Sequence, residues 1–106
     1  MNSQALKGHM DLLLLSVLVD GPLHGYRIIE AIRERSGGVL DLAEGTVYPA
    51  LHRLERAGWL ASAWESAEGR RRRTYRLTPR GATETGRQRA QWRSFSTAIS
   101  RVTEGI

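Results

Sequence analysis

Apolar residues recur along this chain with two periods, first that of a helix and then that of a strand. Between Lys7 and Val19, Leu12, Leu15 and Val19 fall on one helical face, with Leu14 and Leu18 beside it. A helix apolar nearly all round belongs at the centre of a fold, packed by several partners. Gly21-Pro22 ends it in a turn. A second, amphipathic helix is expected from about His24 to Ser36, with Tyr26, Ile28, Ile29 and Ile32 inward and Arg27, Glu30, Arg33, Glu34 and Arg35 outward. Gly37-Gly38 supplies a left-handed stop, and Val39 to Ala43 form a short extended link. In the third helix, with Thr46 as its cap, Val47, Leu51, Leu54 and Ala57 face inward, while Tyr48, Pro49, His52, Arg53 and Arg56 face outward and Gly58 ends it. Pro49 then takes the third helical position, where a missing N–H leaves no intrahelical carbonyl unpaired.

From Trp59 the period falls to two. Leu60, Ser62 and Trp64 alternate with Ala61, Ala63 and Glu65, and Tyr75 and Leu77 alternate with Thr74 and Arg76, which predicts two strands joined by a hairpin loop over "SAEGRRR". Trp59 and Trp64 read as core or wing support. Thr78 followed by Pro79 opens a fourth helix running to about Thr103. Along it Trp92, Phe95, Ile99, Val102 and Ile106 are spaced 3, 4, 3 and 4, the seam of a short coiled coil, whereas the matching upstream positions, Gln88 and Thr85, are polar. Only the last two heptads are adhesive. A second copy of the chain fits them as partner; docking back onto the chain's own core is the alternative.

The order helix, helix, helix, hairpin, helix describes a mainly α fold with a small β-hairpin: a winged helix-turn-helix over residues 1–78 and a long C-terminal dimerisation helix over 79–106. Its 106 residues suit one compact core, and 41% hydrophobic with 25% charged residues is ordinary globular usage. No cysteine is present, which removes disulfides, thiolate metal sites and thiol nucleophiles and fits a reducing compartment. The longest apolar stretch, Leu12 to Val19, is far short of the roughly 20 residues that span a bilayer, and the N-terminus lacks the features of a secretory signal. A cytoplasmic protein without membrane contact is expected.

Charge adds direction. The net charge is +5, and nine of the sixteen basic residues lie between Arg70 and Arg93 against one acid, Glu84. Such a block attracts polyanions, although arginines also coat solvated surfaces. Position favours duplex DNA: in a winged helix-turn-helix the third helix enters the major groove and the hairpin meets the flanking backbone or minor groove. The helix N-terminus offers N–H groups to phosphate, Thr46 and Tyr48 add hydroxyls, and Pro49 stiffens the entry. His52 and Arg53 are then placed for base edges, where an arginine on guanine contributes about 1–3 kcal/mol of discrimination. Arg70, Arg71, Arg72 and Arg73 suit phosphates, which position a protein without reading sequence. Three phosphates neutralised per protomer give a dimer a log–log salt slope near about −5, at about −0.9 each.

Other chemistry finds no footing. His9, His24 and His52 lie on different elements without metal-ligand spacing, Ser16, Ser36 and Ser62 lack a nucleophile's context, and Glu44 and Glu55 have no second acid in an evident cleft. Neither a catalytic constellation, a cofactor nor a metal is expected. A protein-docking module needs an apolar or acidic third-helix face, and an RNA binder needs several exposed aromatics, of which only Tyr48 qualifies.

The stretches "ALKGHMDLLLLSVL", "GPLHGYRIIEAI", "EGTVYPALHRLERAGWL" and "GRRRRTYRLTPRG" resemble the PadR family of bacterial transcriptional regulators, nearly end to end through residue 81. Length and a single C-terminal helix are similar to its short subfamily. That resemblance implies a homodimer joined through the last helix, an inverted-repeat operator and, usually, repression. Tyr48 and Pro49 match the family's recognition-helix motif, and Gly69 to Arg73 match its wing. Some short members bind flat aromatic compounds at the dimer interface through a tryptophan of the last helix, and Trp92 lies in a comparable place, where interface packing is the alternative role.

Overall fold

The computed structural model describes residues 3–105. Its elements are α1 (Ser3–Val17), β1 (Leu23–His24), α2 (Gly25–Arg35), α3 (Glu44–Arg56), β2 (Leu60–Ala67), β3 (Arg70–Leu77) and α4 (Pro79–Glu104). The architecture is the expected one, mainly helical with a small antiparallel sheet, here of three strands in the order β1-β3-β2. A two-residue strand such as β1 is too short for alternation to reveal. Leu23 and His24 pair with Tyr75 and Thr74, and so tether the start of α2 to the wing.

The core forms where α1 meets α2, α3 and the sheet. Leu14, Leu15, Ile28, Val47, Leu51 and Leu54 are fully buried, and Leu60 and Tyr75 close the core from the base of the hairpin. α1 starts earlier than expected and ends at Val17, because Leu18 and Val19 already bond three residues back in a tightening turn. Val19 is thereby exposed. Tyr26, expected inward, is 54% exposed. It precedes Ile28 by two residues, about 200° of helix rotation, so burial of Ile28 and Ile32 turns it to solvent. At the end of α2, Gly38 N–H donates to Arg33 and Gly37 N–H to Glu34, the paired bonds of a glycine-terminated helix.

α3 differs from the expectation at its start. Its N-cap is Ala43, not Thr46, and Val47 N–H already donates to the Ala43 carbonyl at 3.0 Å. Pro49 is therefore the sixth helical residue, and the Gly45 carbonyl loses its usual donor. Gly45 and Pro49 are both exposed, so water can supply that bond. Ala57, expected inward, is the exposed C-cap, and Ala50 takes the buried place.

In the hairpin, Glu68 and Gly69 form a two-residue turn with φ of 53° and 76°. Positive φ at both positions matches the right-handed twist of the flanking strands. The turn is shorter than expected, and all four arginines lie inside β3 rather than in the loop. Thr78 caps α4, accepting from Gly81 N–H at 3.0 Å and donating to the Gly58 carbonyl at 2.6 Å. Gly81 is required here, since a Cβ would overlap the Trp59 carbonyl oxygen. Past its first turns α4 leaves the body: Gly81 and Thr85 are its buried residues, and the chain extends 55 Å along its longest axis.

Candidate nucleic-acid interface

Burial of Val47, Ala50, Leu51 and Leu54 fixes the rotation of α3. At 100° per residue its outward crest is Gly45, Pro49, His52 and Arg56, all exposed. Thr46 is exposed beside that crest. No side chain caps the helix, so its first N–H groups and the positive end of its dipole remain open toward the same surface. Glu44 stands in this turn and opposes an incoming phosphate locally.

Tyr48 and Arg53 lie on opposite flanks of the crest. Tyr48 leans toward α2, where a Cβ on Gly25 would overlap its ring; glycine permits the approach. Burial, and secondarily the charge of Glu44, raise its phenol above the usual tyrosine value, so it stays a proton donor at neutral pH. Arg53 turns to α1, where Nη1 and Nη2 reach the two carboxylate oxygens of Asp11 at 3.1 Å and 2.5 Å. These hydrogen bonds raise its already high pKa. The pair is partly exposed, with 54% of the Arg53 side chain accessible, so it stabilises the fold little.

Strand alternation divides the four wing arginines. Trp64 faces Arg73 and Ser66 faces Arg71 across the hairpin, which puts Trp64, Arg71 and Arg73 on the face that continues from buried Leu60 and Tyr75. Arg70 and Arg72 take the other face, and Arg72 reaches back to Glu68 at 3.9 Å. Arg73 is held most firmly: Nε donates to Ser62 Oγ at 2.9 Å, Nη2 lies 3.7 Å from Glu55 of α3, and Ser62 itself donates to Glu55 at 2.7 Å. The guanidiniums of Arg71 and Arg73 lie 5.0 Å and 5.4 Å from the centre of the Trp64 ring.

Between this wing and the start of α2 opens a cleft of about 440 Å³, walled by Tyr26, Tyr48, Trp64 and the four arginines. The structure thus brings Tyr48 and Arg70 to Arg73 around one space, sets Thr46, Pro49 and His52 on the adjoining surface, and turns Arg53 aside. Tyr26 and Trp64 belong to this surface and were not expected there. Tyr26 was legible from its offset to Ile28; the exposure of Trp64 depends on where the hairpin leaves the core, which alternation alone does not state.

A second cavity of about 450 Å³ lies between α1, α3 and α4, lined by His9, Asp11, Arg53, Arg87, Trp92 and Phe95 among others. His9 meets the Trp92 ring edge-on at 4.9 Å. Of the expected dimerisation residues, Trp92, Phe95, Ile99 and Val102 are 43%, 56%, 47% and 85% exposed along α4. Ile106 lies outside the described residues. No described helix is long and apolar enough to cross a membrane.

Residues 14–87 match the Transcriptional regulator PadR-like family. Among curated relatives, a transcriptional regulator of Mycobacterium tuberculosis is 39% identical over 68 residues, 64% of this chain and 61% of that protein, so the match spans about three fifths of the relative. A solved transcriptional regulator from Clostridium thermocellum is similar over 97% of this chain and 98% of its own, with 29% identity and a TM-score of 0.87. A PadR family transcriptional regulator from Eggerthella lenta is 28% identical, covering 95% of this chain and 87% of its own, with a TM-score of 0.81.

Proposed function

Because this chain belongs to the PadR-like family of transcriptional regulators, and is a DNA-binding regulator and not an enzyme, we propose that it acts as a homodimeric repressor of an inverted-repeat operator. Two protomers joined through α4 set their α3 helices in major grooves about one helical turn apart or somewhat more. Thr46, Tyr48, Pro49, His52 and Arg53 make the recognition-helix contacts, His52 and Arg53 at base edges, and Arg70 to Arg73 grip the backbone. Arg53 exchanges Asp11 for DNA when it does so.

The observation that carries this reading is the convergence of Tyr48 and the wing arginines on one cleft beside the exposed crest of α3. The dimer draws its support from the apolar stripe Trp92, Phe95, Ile99 and Val102, too exposed to suit a lone helix in water. An aromatic effector beside Trp92 releases the operator by binding better to a protomer spacing that does not fit DNA. The cavity that Trp92 and Phe95 share with Arg53 supports this step, since an occupant there touches the recognition helix. Titrating a labelled operator duplex in an analytical ultracentrifuge tests the assembly. Two protomers per duplex, and a single half-site bound at least a hundredfold more weakly, are expected; one protomer per full site with undiminished half-site affinity overturns the dimeric reading.

A further inference from the structure

Trp64 is 56% exposed on the wing, yet two guanidiniums lie over its ring. These two arginines are not equivalent. Arg73 is bound to Ser62 and to Glu55 of α3, so its guanidinium is occupied in joining the wing to the recognition helix. The Arg71 guanidinium has no hydrogen-bond or ion-pair partner among the described residues and rests over the indole face. It stands on the cleft side of the hairpin, across from Tyr26 and Tyr48. A free arginine gives up much rotamer freedom when it grips a phosphate, whereas one already resting on an aromatic face has surrendered part of it. The attraction of a ring face acts on the charge of the guanidinium and needs no lone pair, so its N–H donors can still turn to a phosphate.

We infer that Trp64 is a positioning residue of the DNA site: it holds Arg71 ready for a phosphate in the cleft between wing and α2, while Arg73 fixes the angle of the wing to α3. This rests on the DNA-contact reading above and deepens it: of the four arginines that wall the cleft, Arg71 is the one held ready, Arg73 braces the wing, and Arg70 and Arg72 edge the cleft from the other face of the strand.

A substitution that changes no charge tests this. The salt dependence of duplex binding is measured for the full chain, for W64L, W64F and R71A, and for the double variant W64L with R71A, with thermal melts to confirm folding. R71A is expected to lower the log–log slope by about 0.9 per protomer, one phosphate's share. W64L keeps apolar bulk at an exposed position but no ring, and should lose most of the same slope with a five- to tenfold weaker affinity; W64F, with a smaller aromatic face, should keep most of it. In the double variant the loss should equal that of R71A alone, because Trp64 acts through Arg71. An unchanged slope in W64L, equal losses in W64F and W64L, or additive losses in the double variant would each overturn the inference. A wild-type chain with no salt-dependent duplex binding would instead overturn the DNA-contact reading itself.

Discussion

The wing with α3 and the far half of α4 present opposite kinds of surface. Around the cleft, charged side chains are held in place by neighbours: Arg73 by Ser62 and Glu55, and Arg71 by Trp64. Along α4, Trp92 meets His9 on one side, and Phe95, Ile99 and Val102 are about half or more exposed. Each arrangement suits what covers it. A hydrated polyanion rewards charges whose geometry is set beforehand, while an apolar stripe gains only when another apolar surface displaces its water. On the proposed reading, one end is complete in a single protomer and the other becomes complete in a pair.

The sharpest way to break this contrast is to charge the apolar end. Ile99→Asp removes a side chain whose burial contributes about 1.5–3 kcal/mol, does so in both copies, and adds two like charges across a shared interface. Monomers at micromolar concentration are expected in sedimentation, with thermal stability of the body nearly unchanged. At the other end, replacing Arg70 to Arg73 together by alanine should leave sedimentation alone, weaken binding to every duplex alike, and reduce the dimer's salt slope by up to about 5. If the arginine replacement also dissociated the dimer, or if Ile99→Asp weakened binding to a single half-site, the two surfaces would not be separate.

How far this division was legible depends on the residue. The number and order of the helices and most of the buried leucines follow from spacing and were anticipated. Where the account had to change, a tertiary contact had overridden a local preference. Thr46 is a good cap by type, but the helix begins a turn earlier: the Thr46 and Val47 N–H groups both donate to the Ala43 carbonyl, so Ala43 takes that place. The arginines entered β3 because Glu68-Gly69 makes a two-residue turn, and its register then sorted them into two faces. Arg53 reads as outward by spacing alone, and only the packing of α1 against α3 brings Asp11 to it.

Two smaller tests probe the joint between the regions. Gly81→Ala forces a methyl group onto the Trp59 carbonyl, where α4 leaves the body. Overpacking of this kind costs about 1–3 kcal/mol, so the melting temperature should drop by about 5–20 °C for a chain of this size. Smallest is the acid response of Glu84, whose carboxyl is held at about 2 by hydrogen bonds from Arg87 and Gln88. A carboxyl lowered from 4.5 in the folded chain stabilises it above that pH, and the benefit fades as pH falls from there toward about 2. Glu84→Gln should remove that part of the acid dependence, seen as a flatter profile of melting temperature between these limits.

The most direct test of the central claim is fluorescence anisotropy at physiological salt, with a duplex that the protein itself selects from a random pool set against a scrambled duplex of equal length. Sequence-specific recognition by α3 with a phosphate-gripping wing predicts a difference of about a thousandfold or more. Equal affinity for the two duplexes would contradict it, leaving the arginine wing as a non-specific anchor and α3 without a reading role.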